Sequence, residues 1–310
     1  MKDNTPKVSV LVPIYNVERY IERCAVSLLE QSYNNCEFVF VNDCTKDRSL
    51  EILNKVIGKY PALSDRIKVI SHPANMGLGA ARLTGVNNSD GEFITFVDSD
   101  DYVDSRYVEK LVAAMVENKS DVVLSSYNIS DKLKEVSVAW YERRVLGGRM
   151  SCRIWGSLLK RSIMTSYNIY PIVGIDYAED FAFMTRYISD VKKICIIPDL
   201  IYYYTVDNDN SYVHNISEKS ITSLCDALRV VSAHLKKQDK EKYQKMINYA
   251  ILEKSKGLKE NHGEKMDIMK IISLLEEDKL GILEKMFKAS IVKGNLFWIK
   301  ALSNICYNQL

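Results

Sequence analysis

The stretch Phe93-Ile94-Thr95-Phe96-Val97-Asp98-Ser99-Asp100-Asp101 joins an apolar run to a cluster of three carboxylates. The apolar part predicts a buried strand, and the acidic part predicts a turn directly after it. Neighbouring carboxylates repel one another and raise one another's pKa values, so the cluster favours a bound cation. Mg²⁺ and Mn²⁺ take oxygen ligands, and Mg²⁺ is usually held by one or two carboxylates together with substrate phosphates. The same side chains would also suit the first turn of the following helix, where they complement its dipole.

The surrounding sequence predicts that this strand belongs to a parallel sheet. Four more short apolar runs alternate with stretches of helical periodicity, and these runs are Val8–Val12, Phe38–Val41, Ile67–Ile70 and Val122–Ser125. Buried strands that alternate with helices form an α/β sheet with helices on its faces. Ligands of such sheets bind beyond the carboxyl ends of the strands. The residues that directly follow each strand are therefore the candidates for a functional site.

The alternation of strands and helices stops near residue 130. From Ser217 onward the chain has no proline and many Lys and Glu residues, which predicts an almost wholly helical region. The elements predicted between these points are an antiparallel strand in Lys132–Tyr141, a helix in Trp155–Thr165, a helix in Glu179–Ser189 and a last strand in Lys193–Tyr204.

Length and charge agree with a division of the chain near Ser217. A chain of 310 residues suits one domain of a little over 200 residues with an appended region. Residues 217–310 carry 17 Lys and Arg against 12 Asp and Glu, although the net charge of the whole chain is only +2. That low net charge gives no case for nucleic acid as a partner. We predict a first domain at 1–216, with one half at about 7–125 and a second half at about 126–216, and a helical domain at 217–310.

Cysteine usage and hydropathy predict the compartment. The seven cysteines include no Cys-x-x-Cys pair and are typical of reduced thiols. The first residues lack the apolar core of a signal peptide, and no run approaches the roughly 18 apolar residues of a membrane span. We therefore expect a cytoplasmic protein, with a peripheral position on the inner face of the membrane as a further option.

The turn after the first strand excludes two common ways of binding phosphate. Pro13-Ile14-Tyr15-Asn16 contains no glycine, so the Gly-rich turn of dinucleotide-binding folds is absent there, and the chain has no G-x-x-x-x-G-K-[ST] loop. The stretch from Asn75 to Arg82 has two glycines but lacks the last glycine of the dinucleotide motif. Phosphates would therefore be held by a metal ion and by side chains.

Four other residues have the chemistry of a nucleotide site or of a general base. Asp43 and Tyr15 each follow a predicted strand, where a carboxylate can accept from the N–H of a pyrimidine ring and an aromatic ring can stack on it. Glu179 and Asp180 suit a general base, which must be ionised and separate from metal ligands. In isolation, each of the four is also explained as an ordinary loop or helix-start residue.

Taken together and in order, these motifs resemble the family 2 glycosyltransferases, which use nucleotide sugars. The resemblance covers residues 7–212, and the matching stretches are Val8–Asn16, Val41–Asp43, Asn75–Gly77 with Ala81–Arg82, Gly91–Asp101 and Pro171–Phe183. It implies the GT-A fold, a Rossmann-like and mostly parallel sheet flanked by helices. The domain at 1–216 would then be the catalytic domain, with a nucleotide-sugar-binding half at about 7–125 and an acceptor half at about 126–216. It also implies an inverting, metal-dependent transfer of a sugar from a nucleoside diphosphate, with UDP favoured, to a hydroxyl of a glycan or lipid-linked acceptor in polysaccharide biosynthesis.

The resemblance implies a role for individual residues as well. Asp100, with Asp98, would bind Mn²⁺ or Mg²⁺. Asp180 would be the catalytic base and Glu179 its neighbour. The residues implied to contact the donor nucleotide, with Tyr15 and Asp43 at the base, are Pro13, Tyr15, Asp43, Asn75, Arg82, Asp98 and Ser99.

Several positions depart from the family pattern and leave open which cation offsets the charge of the leaving diphosphate. Ser157 stands where a Lys is usual, and Thr205 and Asp207 stand where arginines often follow the aromatic run. His214 is one candidate for the missing cation. The turn after the second strand also has Cys44, Lys46 and Arg48 where small residues are usual.

Two other functions remain open on the sequence. A sugar-phosphate nucleotidyltransferase can share an α/β nucleotide-binding sheet and a divalent metal, although it would be expected to have a Gly- and Lys/Arg-rich loop after the first strand. A non-catalytic nucleotide-sugar-binding protein is the other alternative, against which the presence of both Asp98–Asp100 and Asp180 argues.

Residues 280–310 combine apolar and basic side chains. The apolar residues are Ile291, Val292, Leu296, Phe297, Trp298, Ile299, Leu302 and Ile305, beside Lys288, Lys293 and Lys300. Such a face can lie on an anionic membrane surface. It can also pack onto the catalytic domain or onto a second subunit of a homo-oligomer.

Overall fold

The structure is a computed structural model that describes residues 5–125, 134–150, 152–207, 216–262 and 267–310. The chain forms two compact units. The first unit comprises Met1–Val138, Arg153–Gly174 and Asp190–Ser211, and the second comprises Ala139–Cys152, Ile175–Ser189 and Tyr212–Leu310. The sequence instead predicts a single boundary near Ser217. That boundary places Ala139–Cys152 and Ile175–Ser189 in the part of the chain that precedes the C-terminal helices.

The first unit is built on an eight-stranded sheet. Its strands are β1 (Val8–Ile14), β2 (Cys36–Asn42), β3 (Ile67–Ser71), β4 (Phe93–Phe96), β6 (Val122–Ser125), β7 (Lys134–Val136), β8 (Ser157–Lys160) and β9 (Ile194–Ile197). Their order is β3-β2-β1-β4-β8-β6-β9-β7. The pairs β1–β2, β1–β4, β2–β3 and β6–β9 are parallel, whereas β8 runs antiparallel to both neighbours and β7 runs antiparallel to β9. The predicted mostly parallel α/β sheet is confirmed.

Helices and a small second sheet complete the first unit. The two short strands β5 (Tyr102–Val103) and β10 (Tyr202–Tyr203) pair antiparallel to each other. Every residue of β1 and β2 is buried, which explains why both strands have nearly continuous apolar sequences. The helices of this unit are α1 (Ile21–Leu29), α2 (Ser49–Ile57), α3 (Leu78–Asn87), α4 (Tyr107–Glu117) and α6 (Arg161–Tyr167).

The regular elements described in the second unit are all helices. Ser217 begins the C-terminal series, because its hydroxyl accepts from the Ser220 N–H and the Ser220 hydroxyl accepts from the Ser217 N–H. The predicted helical character of the region after Ser217 is confirmed. The helices are α5 (Val138–Leu146, whose first residue belongs to the first unit), α7 (Glu179–Ser189), α8 (Glu218–Gln238), α9 (Lys240–His262), α10 (Met269–Ile272), α11 (Ile282–Lys293) and α12 (Leu296–Asn308).

Three predicted elements differ from the structure. The helix predicted in Trp155–Thr165 is wrong in its first half, since β8 lies there and three of its four residues are buried between β4 and β6; a short apolar run has no period that separates strand from helix. The strand predicted in Lys132–Tyr141 is confirmed at β7, but α5 occupies its end, and residues 132–133 lie outside the described residues. The strand predicted in Lys193–Tyr204 is two strands, because Pro198 has no N–H for a ladder.

A buried carboxylate ties three parts of the sheet together. Glu37 in β2 is buried, and its side chain accepts from the Ser9 hydroxyl at 2.7 Å, the Asp90 N–H at 2.7 Å, the Gly91 N–H at 3.1 Å and the Lys68 ammonium at 3.1 Å. Burial alone would raise the pKa of Glu37, but these hydrogen bonds outweigh it and lower the pKa from 4.5 to about 2. The ionised form of Glu37 therefore stabilises the fold.

We expect Glu37→Gln to destabilise the protein at neutral pH by about 3 kcal/mol, the free energy that corresponds to this pKa difference. Because the pKa is lower in the folded state, the stabilisation is complete above pH 4.5 and is lost as the pH falls toward 2. Urea unfolding at neutral pH and at pH 3 measures the effect. The gap between wild type and variant should shrink in acid, and a constant gap would contradict the assignment. The exposed carboxylate variant Glu51→Gln serves as the control.

Candidate active site

The carboxyl ends of three neighbouring parallel strands bring the predicted donor-site residues to one edge of the sheet. β1 lies between β2 and β4, so Tyr15, Asp43 and Asp98, which follow these strands, lie at the same edge. Pro13 is buried within β1, whereas the Tyr15 side chain is 42% exposed. A half-exposed aromatic ring at the mouth of a sheet is available to stack on a planar ligand.

Asp43 is held by the segment that leads into α3. Its buried carboxylate accepts from the Met76 and Gly77 N–H groups, each at 2.8 Å, and lies 2.7 Å from Nδ1 of His72. Nε2 of His72 in turn lies 2.8 Å from the Thr84 hydroxyl. A carboxylate has roughly four acceptor positions, so these three partners leave about one for a base N–H. The sequence identified Asp43 but not its partner His72, which looks like an isolated loop residue there.

The turn before α3 depends on a glycine. Gly77 has φ 91°, a conformation in which a side chain would be strained, and its N–H reaches Asp43 from there. Asn75, two residues earlier, is exposed at this turn. The structure therefore presents Asn75 to solvent and uses the backbone of the next two residues to fix Asp43.

Arg82 and Asp98 form an ion pair across the site. Nη2 of Arg82 donates to Oδ1 of Asp98 at 2.8 Å, and the Arg82 side chain is almost wholly buried, whereas that of Asp98 is 24% exposed. The Arg82 guanidinium also lies 6.0 Å from the centre of the Phe96 ring. Because the partner of Asp98 comes from α3, the pair fixes the orientation of a carboxylate that still faces solvent.

The acidic turn Asp98–Asp101 is anchored by its last residue. Asp101 is fully buried and accepts from the Tyr202 hydroxyl at 2.6 Å and from the Thr205 N–H at 2.7 Å. Burial, followed by the charges of Asp98 and Asp100, raises the pKa of Asp101 to about 8. The buried Asp101 carboxyl therefore holds its proton more strongly than a free aspartate does.

The donor set of this turn fits a divalent cation that also has phosphate ligands. Asp98 and Asp100 are half-buried carboxylates, and Ser99 between them is buried. Within the described residues, no group of three or more His, Cys, Asp or Glu side chains forms a metal site by itself. Two carboxylates completed by a diphosphate are the arrangement in which Mg²⁺ is commonly bound.

Tyr202 joins both ends of the acidic turn. Its hydroxyl accepts from the Asp98 N–H at 3.1 Å while it donates to Asp101. Its ring stacks on Trp155 with centroids 4.7 Å apart, and Trp155 also stacks on Tyr204 at 5.3 Å. The run Tyr202–Tyr204 is visible in the sequence, but its contact with a turn about one hundred residues earlier is not.

We expect Tyr202→Phe to weaken metal-dependent nucleotide binding about 3- to 30-fold, because it removes two hydrogen bonds from the turn but keeps the ring that stacks on Trp155. The affinity for UDP with Mn²⁺, measured by calorimetry, tests this. Tyr203→Phe in the same strand is the matched control. Equal affinity of Tyr202→Phe and wild type would show that the turn holds its shape without the hydroxyl.

Arg23 supplies a cation next to the turn that the sequence analysis did not identify. Its Nη2 donates to the Thr205 hydroxyl at 2.8 Å and to the Asp100 carbonyl at 3.3 Å, and its guanidinium lies 4.2 Å from the centre of the Tyr102 ring. Thr205 stands where the family often has an arginine, so a cation from α1 lies against the position that lacks one. His214, the candidate named from the sequence, lies outside the described residues.

Three residues with positive φ adjoin the predicted site residues. Asn16 (φ 54°) follows Tyr15, Cys44 (φ 57°) follows Asp43, and Ala178 (φ 63°) precedes Glu179. Non-glycine residues rarely adopt this conformation, and such strain tends to concentrate at functional sites. The left-handed backbone at Cys44 also gives a reason why small residues are usual at this position in the family.

Glu179 and Asp180 begin α7 in the second unit. Both are half-buried in the first turn of that helix, where the dipole stabilises negative charge. The approach to the helix is fixed by α8, because the Ser223 hydroxyl accepts from the Asp176 and Tyr177 N–H groups, each at 3.0 Å. The predicted helix Glu179–Ser189 is confirmed, and the catalytic role of its acids remains a prediction.

Among the helices of the described residues, none is long and apolar enough to cross a membrane.

Comparison with known proteins identifies the family. The family model "Glycosyl transferase family 2" matches residues 9–167. The uncharacterized glycosyltransferase EpsJ of Bacillus subtilis is 34% identical over 221 residues, which are 66% of this chain and 62% of EpsJ. An uncharacterized glycosyltransferase of Haemophilus influenzae is 36% identical over 196 residues, which are 61% of this chain and 75% of the relative. This chain belongs to glycosyl transferase family 2.

The solved structures confirm the fold. The crystal structure of Staphylococcus aureus TarS 1-349 in complex with UDP-GlcNAc superposes with a TM-score of 0.74, covering 98% of this chain and 92% of that one at 21% identity. The predicted GT-A fold with a C-terminal helical region is therefore confirmed.

Proposed function

We propose that this protein transfers a sugar from a UDP-sugar to a hydroxyl of a glycan or lipid-linked acceptor, with inversion at the anomeric carbon and with Mn²⁺ or Mg²⁺ as cofactor. The observation that carries the proposal is the shared edge of β1, β2 and β4, where Asp43 and the Arg82–Asp98 pair lie next to an acidic turn. The TarS structure with UDP-GlcNAc makes a uridine nucleotide the natural first candidate for this edge.

The nucleotide is assigned to the first unit. Tyr15 stacks on the base and Asp43 accepts its ring N–H, with Pro13 and Asn75 beside them. Arg82 holds Asp98 toward the ribose, and Ser99 lies in the same turn. Uracil suits this arrangement because it offers an N–H donor on its ring edge.

Asp98 and Asp100 are the residues that would hold the metal ion. When bound, the ion offsets the charge of the diphosphate as it leaves. Arg23 contributes further positive charge near the same turn. The metal ion and Arg23 would together supply the positive charge that the family often obtains from an arginine at the position of Thr205.

Asp180 is the proposed general base, and Glu179 is its neighbour in the first turn of α7, where the helix dipole favours ionised carboxylates. Asp180 removes the proton of the acceptor hydroxyl, and the hydroxyl oxygen forms a bond to the anomeric carbon as the bond to the diphosphate breaks. UDP leaves with the electron pair of that bond. Attack from the side opposite to the leaving group inverts the configuration.

Acceptor class and compartment follow from the same proposal. A soluble or lipid-linked glycan presents the required hydroxyl, and polysaccharide biosynthesis in the cytoplasm, at the inner face of the membrane, would supply both donor and acceptor. A nucleotidyltransferase would instead release pyrophosphate from a nucleoside triphosphate and a sugar phosphate.

A thermal-shift screen tests donor and metal together. The intact chain is heated with UDP, GDP, CDP or TDP, each with Mn²⁺ or with EDTA. UDP at 100 times its Kd should add about 2.7 kcal/mol of stability, and only when Mn²⁺ is present. A larger shift with GDP, or an equal shift in EDTA, would overturn the base or the metal assignment. Hydrolysis of UDP-sugars by the same sample then separates an enzyme from a binding protein.

A further inference from the structure

Three consecutive large apolar side chains at the start of α12 are exposed to solvent. Leu296, Phe297 and Trp298 begin α12 and are 55%, 73% and 47% exposed. Val292, in the last turn of α11, is also exposed. Exposed hydrophobic residues on soluble proteins are usually scattered singly, and an exposed consecutive run is a defect unless a partner covers it.

The turn that carries these residues is well formed. Gly294 has φ 69° and donates its N–H to the Ile291 carbonyl at 3.1 Å, and Asn295 caps α12 by accepting from the Trp298 N–H at 3.3 Å. The Phe297 and Trp298 rings meet edge to face with centroids 5.4 Å apart. The apolar run is therefore presented by a capped helix start and not by a frayed end.

The apolar face that the sequence predicted in residues 280–310 has a buried part and an exposed part in the structure. Ile291, Ile299 and Leu302 are buried among the helices of the second unit, so part of the face serves internal packing. The residues that remain exposed at the turn are Val292, Lys293, Leu296, Phe297, Trp298 and Lys300, which we call the hairpin tip. Ile305 of the same face also stays exposed, but it lies further along α12 and is not part of this consecutive run.

The charges around the hairpin tip select that partner. Helices α11 and α12 carry four lysines and a single acid, Glu284, which is buried and accepts from the Gly281 N–H at 2.7 Å. Lys259 of α9 also lies at the turn, since a Cβ on Gly294 would come within 3.3 Å of its Cε. Lysines beside exposed Trp and Phe match an anionic membrane surface, which attracts the ammonium groups and takes up the rings at its interface.

A second copy of the chain fits less well. Two hairpin tips that met across a two-fold axis would bring the same lysines close together, and like charges repel. No acidic residue in α11 or α12 is exposed to offset them.

We infer that the hairpin tip docks on the surface of a bilayer that contains anionic lipids. The inference rests on the second unit alone and does not depend on the proposed donor, metal or base. The apolar side chains enter the interface, and the lysines contact lipid phosphates or carboxylates.

Co-sedimentation of the full chain with vesicles tests the inference. Vesicles of phosphatidylcholine mixed with phosphatidylglycerol should bind the protein, and vesicles of phosphatidylcholine alone should bind it at least about tenfold more weakly. The double variant Phe297→Ser, Trp298→Ser should lower binding to the mixed vesicles at least about tenfold. Lys293→Gln with Lys300→Gln should act similarly, as should raised salt.

Matched controls separate docking from misfolding. Met269→Ser and Val116→Ser remove apolar residues of comparable exposure elsewhere, one in each unit, and should leave binding unchanged. Circular dichroism and thermal melting check the fold of each variant. In the wild type, the Trp298 fluorescence should shift to the blue with mixed vesicles, and this shift should be absent in Trp298→Phe.

Three results would overturn the inference. The first is no sedimentation with mixed vesicles, and the second is equal binding to neutral vesicles. The third is a dimer that forms without lipid and dissociates in the Phe297→Ser, Trp298→Ser variant, which would assign the hairpin tip to a second copy of the chain.

Discussion

Asp180→Asn should lower the rate of sugar transfer by at least about 100-fold, the smaller end of what a general base contributes. An amide is nearly the same size as the carboxylate and can remain at the start of α7, but it cannot take a proton from the acceptor. UDP binding with Mn²⁺ should stay within about twofold of wild type, since the proposed nucleotide contacts lie in the first unit. Single-turnover transfer and calorimetry on the same samples measure the two quantities.

Two further carboxylate variants make this result specific. Glu179→Gln should retain much more activity than Asp180→Asn if Glu179 is only a neighbour of the base. Asp226→Asn changes the same charge on the exposed surface of α8 in the same unit and should have no effect. Transfer by Asp180→Asn at the wild-type rate would move the base elsewhere, and a reversed order of the two α7 variants would move it to Glu179.

Asp100→Ala should remove the metal-dependent part of UDP binding. In wild type, Mn²⁺ should increase the affinity for UDP by one to two orders of magnitude, because Asp98 and Asp100 would hold an ion that offsets the charge of the diphosphate. Without the Asp100 carboxylate, the affinity in Mn²⁺ should fall to about the value in EDTA. The backbone carbonyl of Asp100, which accepts from Thr205 and Arg23, is preserved by the substitution.

A surface variant and a second measurement of metal binding accompany the Asp100→Ala experiment. Asp65→Ala removes an exposed carboxylate from the same unit and should keep the full Mn²⁺ effect. Electron paramagnetic resonance of Mn²⁺ with UDP should show bound metal in wild type and much less in Asp100→Ala. An unchanged Mn²⁺ effect in Asp100→Ala would exclude this side chain as a ligand.

The sequence predicted those strands whose burial makes them continuously apolar. The runs at β1, β2 and β4 are bounded by polar turns, so their positions were recognisable without a structure. β8 was missed because its four residues carry no period that distinguishes a strand from a helix, and its antiparallel place depends on strands far away in the chain. Local sequence thus identifies strands that lie between recognisable turns but does not determine how distant strands pair.

In the candidate site as well, the sequence identified some residues but not the distant contacts that hold them. Asp43 and Asp98 were singled out because each directly follows an apolar run, and the resemblance added Arg82. The contacts of Asp43 with His72 and of Asp98 with Arg82 were not predicted, because they depend on how α3 packs. Tyr202 lies about one hundred residues from the turn it joins, and its role could not be foreseen. The assignments of Glu179 and Asp180 came from family resemblance, since acids at a helix start have an ordinary explanation.

The position of β8 has a consequence for how the protein is made. The strands β4 (Phe93–Phe96) and β6 (Val122–Ser125) are both synthesised before β8 (Ser157–Lys160), yet they do not pair with each other, because β8 lies between them. A nascent chain that ends at residue 125 therefore has a bare edge on β4, and such edges invite pairing with other chains. The sheet becomes continuous from β4 to β6 only after residue 160 is available, so we expect β4 to keep an open edge until that point in synthesis.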